Sequence, residues 1–411
     1  MLKILQSKTS KQTALLFGSQ IAMVIIGFGI KKIQTNFLGP EAYGLYAFFG
    51  SFTVFTALFF RFGFFSSLQV LLAENKNYQI ERELFGLGFI VNLFTGLAYG
   101  IFIWAFSYHI DEFFHTQIGG ILRLLSPLTI IIPTRALISA MSIGSNKIHI
   151  LPIYDNLSKV LFLLALLVFA YSDSLTVFVT IQFNLVTLLV SLFVIYRQFQ
   201  PDFSNTKKHF QTLWEKNKSF GFNFYLGSTA NQSTFKVDEL FIVYFQGTTI
   251  NGFYSLANVI ASPMVMGSQA LSNSLFKNFS HQNFIPKKVF VYNTLWLIVS
   301  ITGLYFLADW VVNLIFGNEF SLAGEYAIGL SIAFFFQGLY QPFNFLSAKS
   351  QGKAVRNVAI TEAVVNLTGN IILIPIYGVM GAIYTSIFAK FIHFIGKWYY
   401  YKKFLKENAN G

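Results

Sequence analysis

The chain has 411 residues, of which 54% are hydrophobic, 18% aromatic and only 11% charged, with a formal net charge of +12 and no cysteine. A soluble domain carries about 25% charged residues, so this composition excludes one, and the lack of cysteine excludes a thiolate metal site. The apolar runs are continuous rather than alternating, which argues for membrane helices over a β-barrel, and the length leaves room for about a dozen spans of ~20 residues.

The N-terminus, MLKILQSKTSKQ, leads into a long apolar run with no small-residue cleavage site and reads as a retained cytoplasmic start. Spans are predicted near 12–36, 44–72, 84–106, 118–141, 152–171 and 175–196. A polar, basic stretch at 197–218 follows, at the midpoint of the chain. A second set of spans is predicted near 219–246, 250–276, 288–308, 326–347, 357–376 and 378–398, followed by a tail at 399–411. The expected organisation is therefore a six-helix bundle over 1–196, a cytoplasmic linker over 197–218 and a second six-helix bundle over 219–398. An even number of spans precedes the linker, so the halves would be parallel repeats. A turn pattern, F-x-G-x-x-x-x-G-x-Y, occurs after the first span of each half, at Phe37, Gly39, Gly44, Tyr46 and at Phe245, Gly247, Gly252, Tyr254.

The basic residues are placed as topology signals, not as a nucleic-acid footprint. With a cytoplasmic N-terminus, the inside segments hold Lys and Arg at 3, 8, 11, 76, 82, 147, 197, 207, 208, 216, 218, 277, 287, 288, 349, 353, 356, 397, 402, 403 and 406. The outside loops hold none and carry acids instead, among them Glu41, Asp111, Asp173 and Glu319. Both termini are expected in the cytoplasm.

Eight cations fall within the spans: Lys31, Lys32, Arg61, Arg123, Arg135, Lys159, Lys236 and Lys390. A charge at mid-bilayer costs roughly 2.5–3.5 kcal/mol on insertion scales, so each should meet a partner, a wet cavity or an interface. Asp155 and Lys159 stand at i,i+4 and are expected to pair; Lys390 can pair with Glu362, and Arg123 can snorkel from a helix end. Arg135 has no acid nearby in sequence. Lys31, Arg61 and Lys236 lie at staggered depths and could form a ladder for a moving anion. Lys236 shares a helix face with Glu239, leaving Asp238 as the expected free acid, a candidate for proton or ion coupling. The seventh span is unusually polar, with Asn223, Asn231 and Gln232 among its candidate sugar-facing groups.

No nucleotide-binding loop and no H-E-x-x-H motif is present, so neither a cofactor nor catalysis is expected. The six histidines are scattered, mostly near span ends, and read as surface or interfacial.

The segments FLGPEAYGLYAFF, YFQGTTINGFYSLANVIASP and IPIYGVMGAIYTSI resemble the Wzx-type flippases of O-antigen and capsule repeat units. These are polysaccharide biosynthesis proteins of the superfamily that also holds the multidrug exporters and the peptidoglycan lipid flippase. The resemblance implies an all-α integral membrane protein with two six-helix bundles in a V around a central cavity. It implies transport of an undecaprenyl-pyrophosphate-linked oligosaccharide across the bacterial inner membrane, with a polysaccharide polymerase and chain-length proteins as candidate partners. By helix and depth it places the pyrophosphate near Lys31, Arg61 and Lys236; Arg135 is a further candidate only as a cation within a span that has no acid nearby in sequence. Two other readings share the architecture or the substrate: an ion-coupled exporter of cationic drugs, and a membrane polysaccharide polymerase. The surplus of cations over acids argues against the first, and the short outside loops against the second.

Overall fold

The computed structural model describes residues 8–75, 77–147, 149–349 and 351–409, with side chains from residue 23 onward except at 223, 227, 230, 231, 234, 235, 277, 280, 408 and 409. Every regular element among the described residues is helical. In chain order they are α1 (Lys8–Ala57), α2 (Phe64–Glu74), α3 (Tyr78–Phe106), α4 (Ile110–Phe114), α5 (Gly119–Thr129), α6 (Thr134–Gly144), α7 (Ile150–Tyr171), α8 (Val177–Phe199) and α9 (Thr206–Lys216). There follow α10 (Phe222–Gln246), α11 (Thr248–Ala261), α12 (Pro263–His281), α13 (Lys287–Ile315), α14 (Leu322–Leu339), α15 (Phe345–Ala348), α16 (Gly352–Tyr377) and α17 (Val379–Ala409).

Among the described residues, nine helical stretches are long and apolar enough to cross a membrane. The first two expected spans run together as one such stretch, Met23–Phe60. The spans expected at 219–246 and 250–276 are helical but fall outside these nine. α10 is too polar, and the other is interrupted at Ser262 before Pro263, which opens α12 at a position where its missing N–H costs nothing.

The repeated turn has one backbone conformation in both copies. Gly39 has φ 72°, ψ 175°, and Gly247 has φ 88°, ψ 173°. That region is open essentially to glycine alone. In both copies the chain re-enters a helix at once, through Pro40 and Thr248. Four residues after each glycine sits a side chain with no exposed surface, Tyr43 in one copy and Asn251 in the other.

By packing, the chain forms two compact units, residues 1–40 with 249–411, and residues 41–248. Both boundaries fall one residue after the repeated glycine. This grouping differs from a simple division at the linker: the chain before Gly39 groups with the second half, and α10 groups with the first. In the first unit, Phe28 stacks on Phe316 at 6.2 Å, and an aromatic core gathers Phe279, Phe343, Phe345 and Tyr401. The second unit has two cores. One surrounds Phe85, Met141, Tyr154 and Phe199, and the other Phe48, Phe52, Tyr99 and Phe114, where Val243 of α10 is buried.

Candidate functional site

α10 is polar for a helix of 25 residues, and its polar groups are ordered. Gln232, Lys236 and Glu239 stand at i, i+4 and i+7, so they share one face over a rise of ~10 Å. Within the same unit that face meets the part of α1 beyond Gly39 and the turn after it. Lys236 Nζ lies 2.6 Å from Glu239 Oε1 and donates to Ser51 Oγ at 3.4 Å. The Ser51 hydroxyl donates to Glu239 Oε2. Glu239 and Ser51 are buried, while the Lys236 side chain keeps 32% of its surface exposed.

One turn along the seam, Arg61 Nη1 donates to Gln232 Oε1 at 2.9 Å. Among the described residues Arg61 has no carboxylate within ion-pair distance. Its position depends on a broken helix. The chain passes through a 3-10 turn at Leu58–Phe60 and then two left-handed residues, Phe62 (φ 46°) and Gly63 (φ 82°). Phe62 is a bulky residue in a region that bulky side chains rarely adopt, so the surroundings must hold it there.

They do so from the start of α10. A π-helical turn, Asn217–Gly221, joins α9 to α10. Buried Asn217 donates from Nδ2 to the Phe62 carbonyl at 3.1 Å and accepts from Ser67 Oγ at 3.1 Å. Tyr225 donates its hydroxyl to the Phe59 carbonyl at 2.9 Å. A Cβ on Gly63 would come within 2.5 Å of the Gly221 carbonyl oxygen, so this approach requires glycine. Carbonyls released by the break are thus satisfied from the helix that also holds the Arg61 head. π-Turns of this kind are frequent at functional sites. Sequence reasoning missed Asn217, because its partners lie some 150 residues away.

Other expectations are corrected. Arg135 is not without an acid: its Nε and Nη2 form a fork with Asp155 at 2.9 and 2.8 Å. Asp155 therefore pairs across α6 and α7 rather than with Lys159 on its own helix. A planar guanidinium offers two parallel bonds that an ammonium cannot match. Arg135 and Arg61 are close enough for their charges to repel. Asp238 is buried and engaged in an interaction of its own, so it is not a free acid. Gln232 spends its Oε1 on Arg61. The side chains of Asn223 and Asn231 lie outside the described residues. Lys31 belongs to the other unit, where it donates to Gln34 at 3.2 Å.

The expected Lys390–Glu362 pair is present at 2.6 Å, within a network the sequence only partly revealed. The other Glu362 oxygen bonds His393 Nδ1, and His393 stacks on Tyr340 at 4.1 Å. Lys397, read as a topology signal, is buried, donates to Asn344 at 3.2 Å and sits 4.9 Å over the Tyr340 ring. His209 likewise is not a free surface group, since it meets buried Glu83 at 2.5 Å. A readable signal existed: Glu362, Asn366 and Asn370 recur every fourth residue on α16, and Glu362 faces Lys390 and His393 on α17.

The chain has the fold seen in MOP superfamily transporters. The chain is similar to a lipid II flippase MurJ in an inward closed conformation, with TM-score 0.74 and 17% identity over 95% of this chain and 87% of that one. It is similar to an inward-facing multidrug resistance MATE family transporter, with TM-score 0.68 and 12% identity over 93% of this chain and 95% of that one. A MOP superfamily transporter from Pyrococcus furiosus, described as having a binding pocket of reverse polarity, gives TM-score 0.56 and 11% identity over 94% and 93% of the two chains. No curated sequence matches at a significant level. A model of the polysaccharide biosynthesis protein family matches residues 10–276, well over half of the chain, and the chain belongs to that family.

Proposed function

We propose that the protein flips undecaprenyl-pyrophosphate-linked polysaccharide repeat units from the cytoplasmic to the periplasmic leaflet of the bacterial inner membrane, by alternating access between two six-helix halves. The observation that carries this reading is Arg61, a cation held by an amide instead of a carboxylate. An incoming pyrophosphate can replace Gln232 as acceptor without displacing a charge, and charge-assisted bonds are roughly twice as strong as neutral ones. Lys236 is the next cation along the seam. The anion would compete with Glu239 for it, and a proton on Glu239 or Asp238 would favour the exchange, so coupling to a proton gradient belongs to the proposal. The prenyl tail can stay in lipid while the headgroup moves past these side chains. Lys31 and Arg135 would extend the path, and Asn223, Asn231 and Gln232 would meet the sugars. Membership of a polysaccharide biosynthesis family supports a saccharide cargo, and likeness in fold to a lipid II flippase supports a lipid-linked one. Both termini would be cytoplasmic, and a polymerase with its chain-length protein would take the product.

In a deletion strain, Arg61→Ala and Lys236→Ala should leave lipid-linked units on the cytoplasmic leaflet and lower surface polysaccharide. If both variants insert normally and restore wild-type polysaccharide, the assignment of the headgroup path is wrong. Asp238→Asn with full activity, together with transport indifferent to an imposed pH gradient, would remove the coupling step alone.

A further inference from the structure

Arg123 stands apart from the seam and is held in an unusual way. Its guanidinium carbon lies 3.7 Å from the centre of the Tyr108 ring, and Tyr108 is braced edge-on by Trp104 at 5.5 Å. Among the described residues Arg123 has no carboxylate within ion-pair distance, and its N–H groups meet no protein acceptor. The neighbouring acid, Asp111, is committed elsewhere: it caps α5 by accepting from the backbone N–H of Ile118 at 2.8 Å and of Gly119 at 2.9 Å. Stacking occupies only the face of a guanidinium and leaves its in-plane donors free, a geometry suited to a phosphate.

Directly along the helices from this group runs an apolar groove of about 270 Å³. Leu97, Ile101 and Trp104 of α3 form one wall, and Pro127 with Ile130 the other. The groove lies where α5 ends at Thr129 and the chain turns before α6, beside a close approach in which a Cβ on Gly100 of α3 would come within 3.0 Å of Ile130. From Arg123 to Ile130 the rise is ~10 Å parallel to the helix axes, with the cation at the helix-end side and the apolar floor deeper. Trp104 belongs to both the groove wall and the aromatic brace.

We infer that this groove is a binding site for an anionic phospholipid, with one acyl chain lying between α3 and α5 and the phosphate on Arg123. The occupant is chosen by charge: among the described residues the cation at the head of the groove has no ion-pair partner, and the remainder of the lining is apolar. The site is independent of the transport path and does not rest on the proposed cargo.

The test uses the full-length protein in detergent, supplied with phosphatidylglycerol or phosphatidylcholine. Native mass spectrometry counts retained lipid, and brominated acyl chains report proximity through quenching of Trp104, taken as the difference between wild type and Trp104→Phe. Phosphatidylglycerol should be retained over phosphatidylcholine and should quench Trp104. Arg123→Gln should weaken phosphatidylglycerol roughly fivefold and leave phosphatidylcholine unchanged. Ile101→Phe, which fills the groove without adding a second indole there, should abolish quenching of Trp104 by either lipid, and glycerol phosphate lacking a chain should not compete. Equal retention of the two lipids, or an Arg123→Gln variant that binds phosphatidylglycerol as wild type does, would overturn the site.

Discussion

Two helix pairs place lysines against a buried glutamate, and they do so differently. In the α16–α17 pair Glu362 is bound on both oxygens, by Lys390 and His393, whose side chains keep only 14% and 8% of their surface. In the seam of α10, Glu239 is bound on both oxygens as well, but its lysine keeps 32%, and Arg61 beside it has an amide for a partner. The first arrangement is closed: Lys390, His393 and the amide-held Lys397 are all enclosed by protein around Glu362. The second is open, with a lysine that keeps part of its surface and an arginine held by a neutral amide. The lesson is that burial of charge does not itself mark a binding site in a membrane protein. Under the proposed function, what marks it is an accessible charge whose partner a substrate could replace.

If that contrast is right, the largest effect should come from the closed network. Glu362→Gln strands Lys390 without its counter-charge and should cost about 3–5 kcal/mol, read as a drop in thermal stability of the purified protein in detergent. Next come the repeated glycines: Gly39→Ala and Gly247→Ala force a side chain into a glycine-only conformation, at about 1–3 kcal/mol each by the same measurement. Asn217→Ala leaves the Phe62 carbonyl unsatisfied and should cost about 1–3 kcal/mol. It should also lower transport although no charge is removed, and wild-type transport would show that the strained turn does not position Arg61. Glu239→Gln should cost only about 1 kcal/mol, since the amide can keep the Ser51 bond and Lys236 reaches its exposed side. A loss as large as that of Glu362→Gln would erase the distinction between the two seams. Smallest of all, Arg135→Ala should change stability by less than about 1 kcal/mol, because Arg135 is 61% exposed in its pair with Asp155.

Much of this was legible before any coordinates. The long apolar runs announced helices, and the match of two distant glycine turns announced a repeat, since each glycine answers to a backbone demand that no other residue meets. The local pairs Lys236–Glu239 and Lys390–Glu362 were also foreseen, one from helix periodicity and the other from adjacent spans. The errors have one character. Asp155 was assigned to Lys159 on its own helix, yet Arg135 on another helix holds it with better geometry. His209 and His393 read from sequence as surface or interfacial groups and Lys397 as a topology signal, yet each is enclosed by elements remote in sequence.

The sequence alone determined that the chain is helical, lives in lipid and repeats its entry turn, because hydropathy, periodicity and glycine conformation are properties of short segments. Tertiary structure decided which of the charges are quenched and which remain available. That depends on the partners that packing delivers across 20 to 190 residues of chain, such as Asp155 to Arg135 and Ser51 to Glu239. In an apolar solvent the presence or absence of such a partner is the difference between a strut and a site.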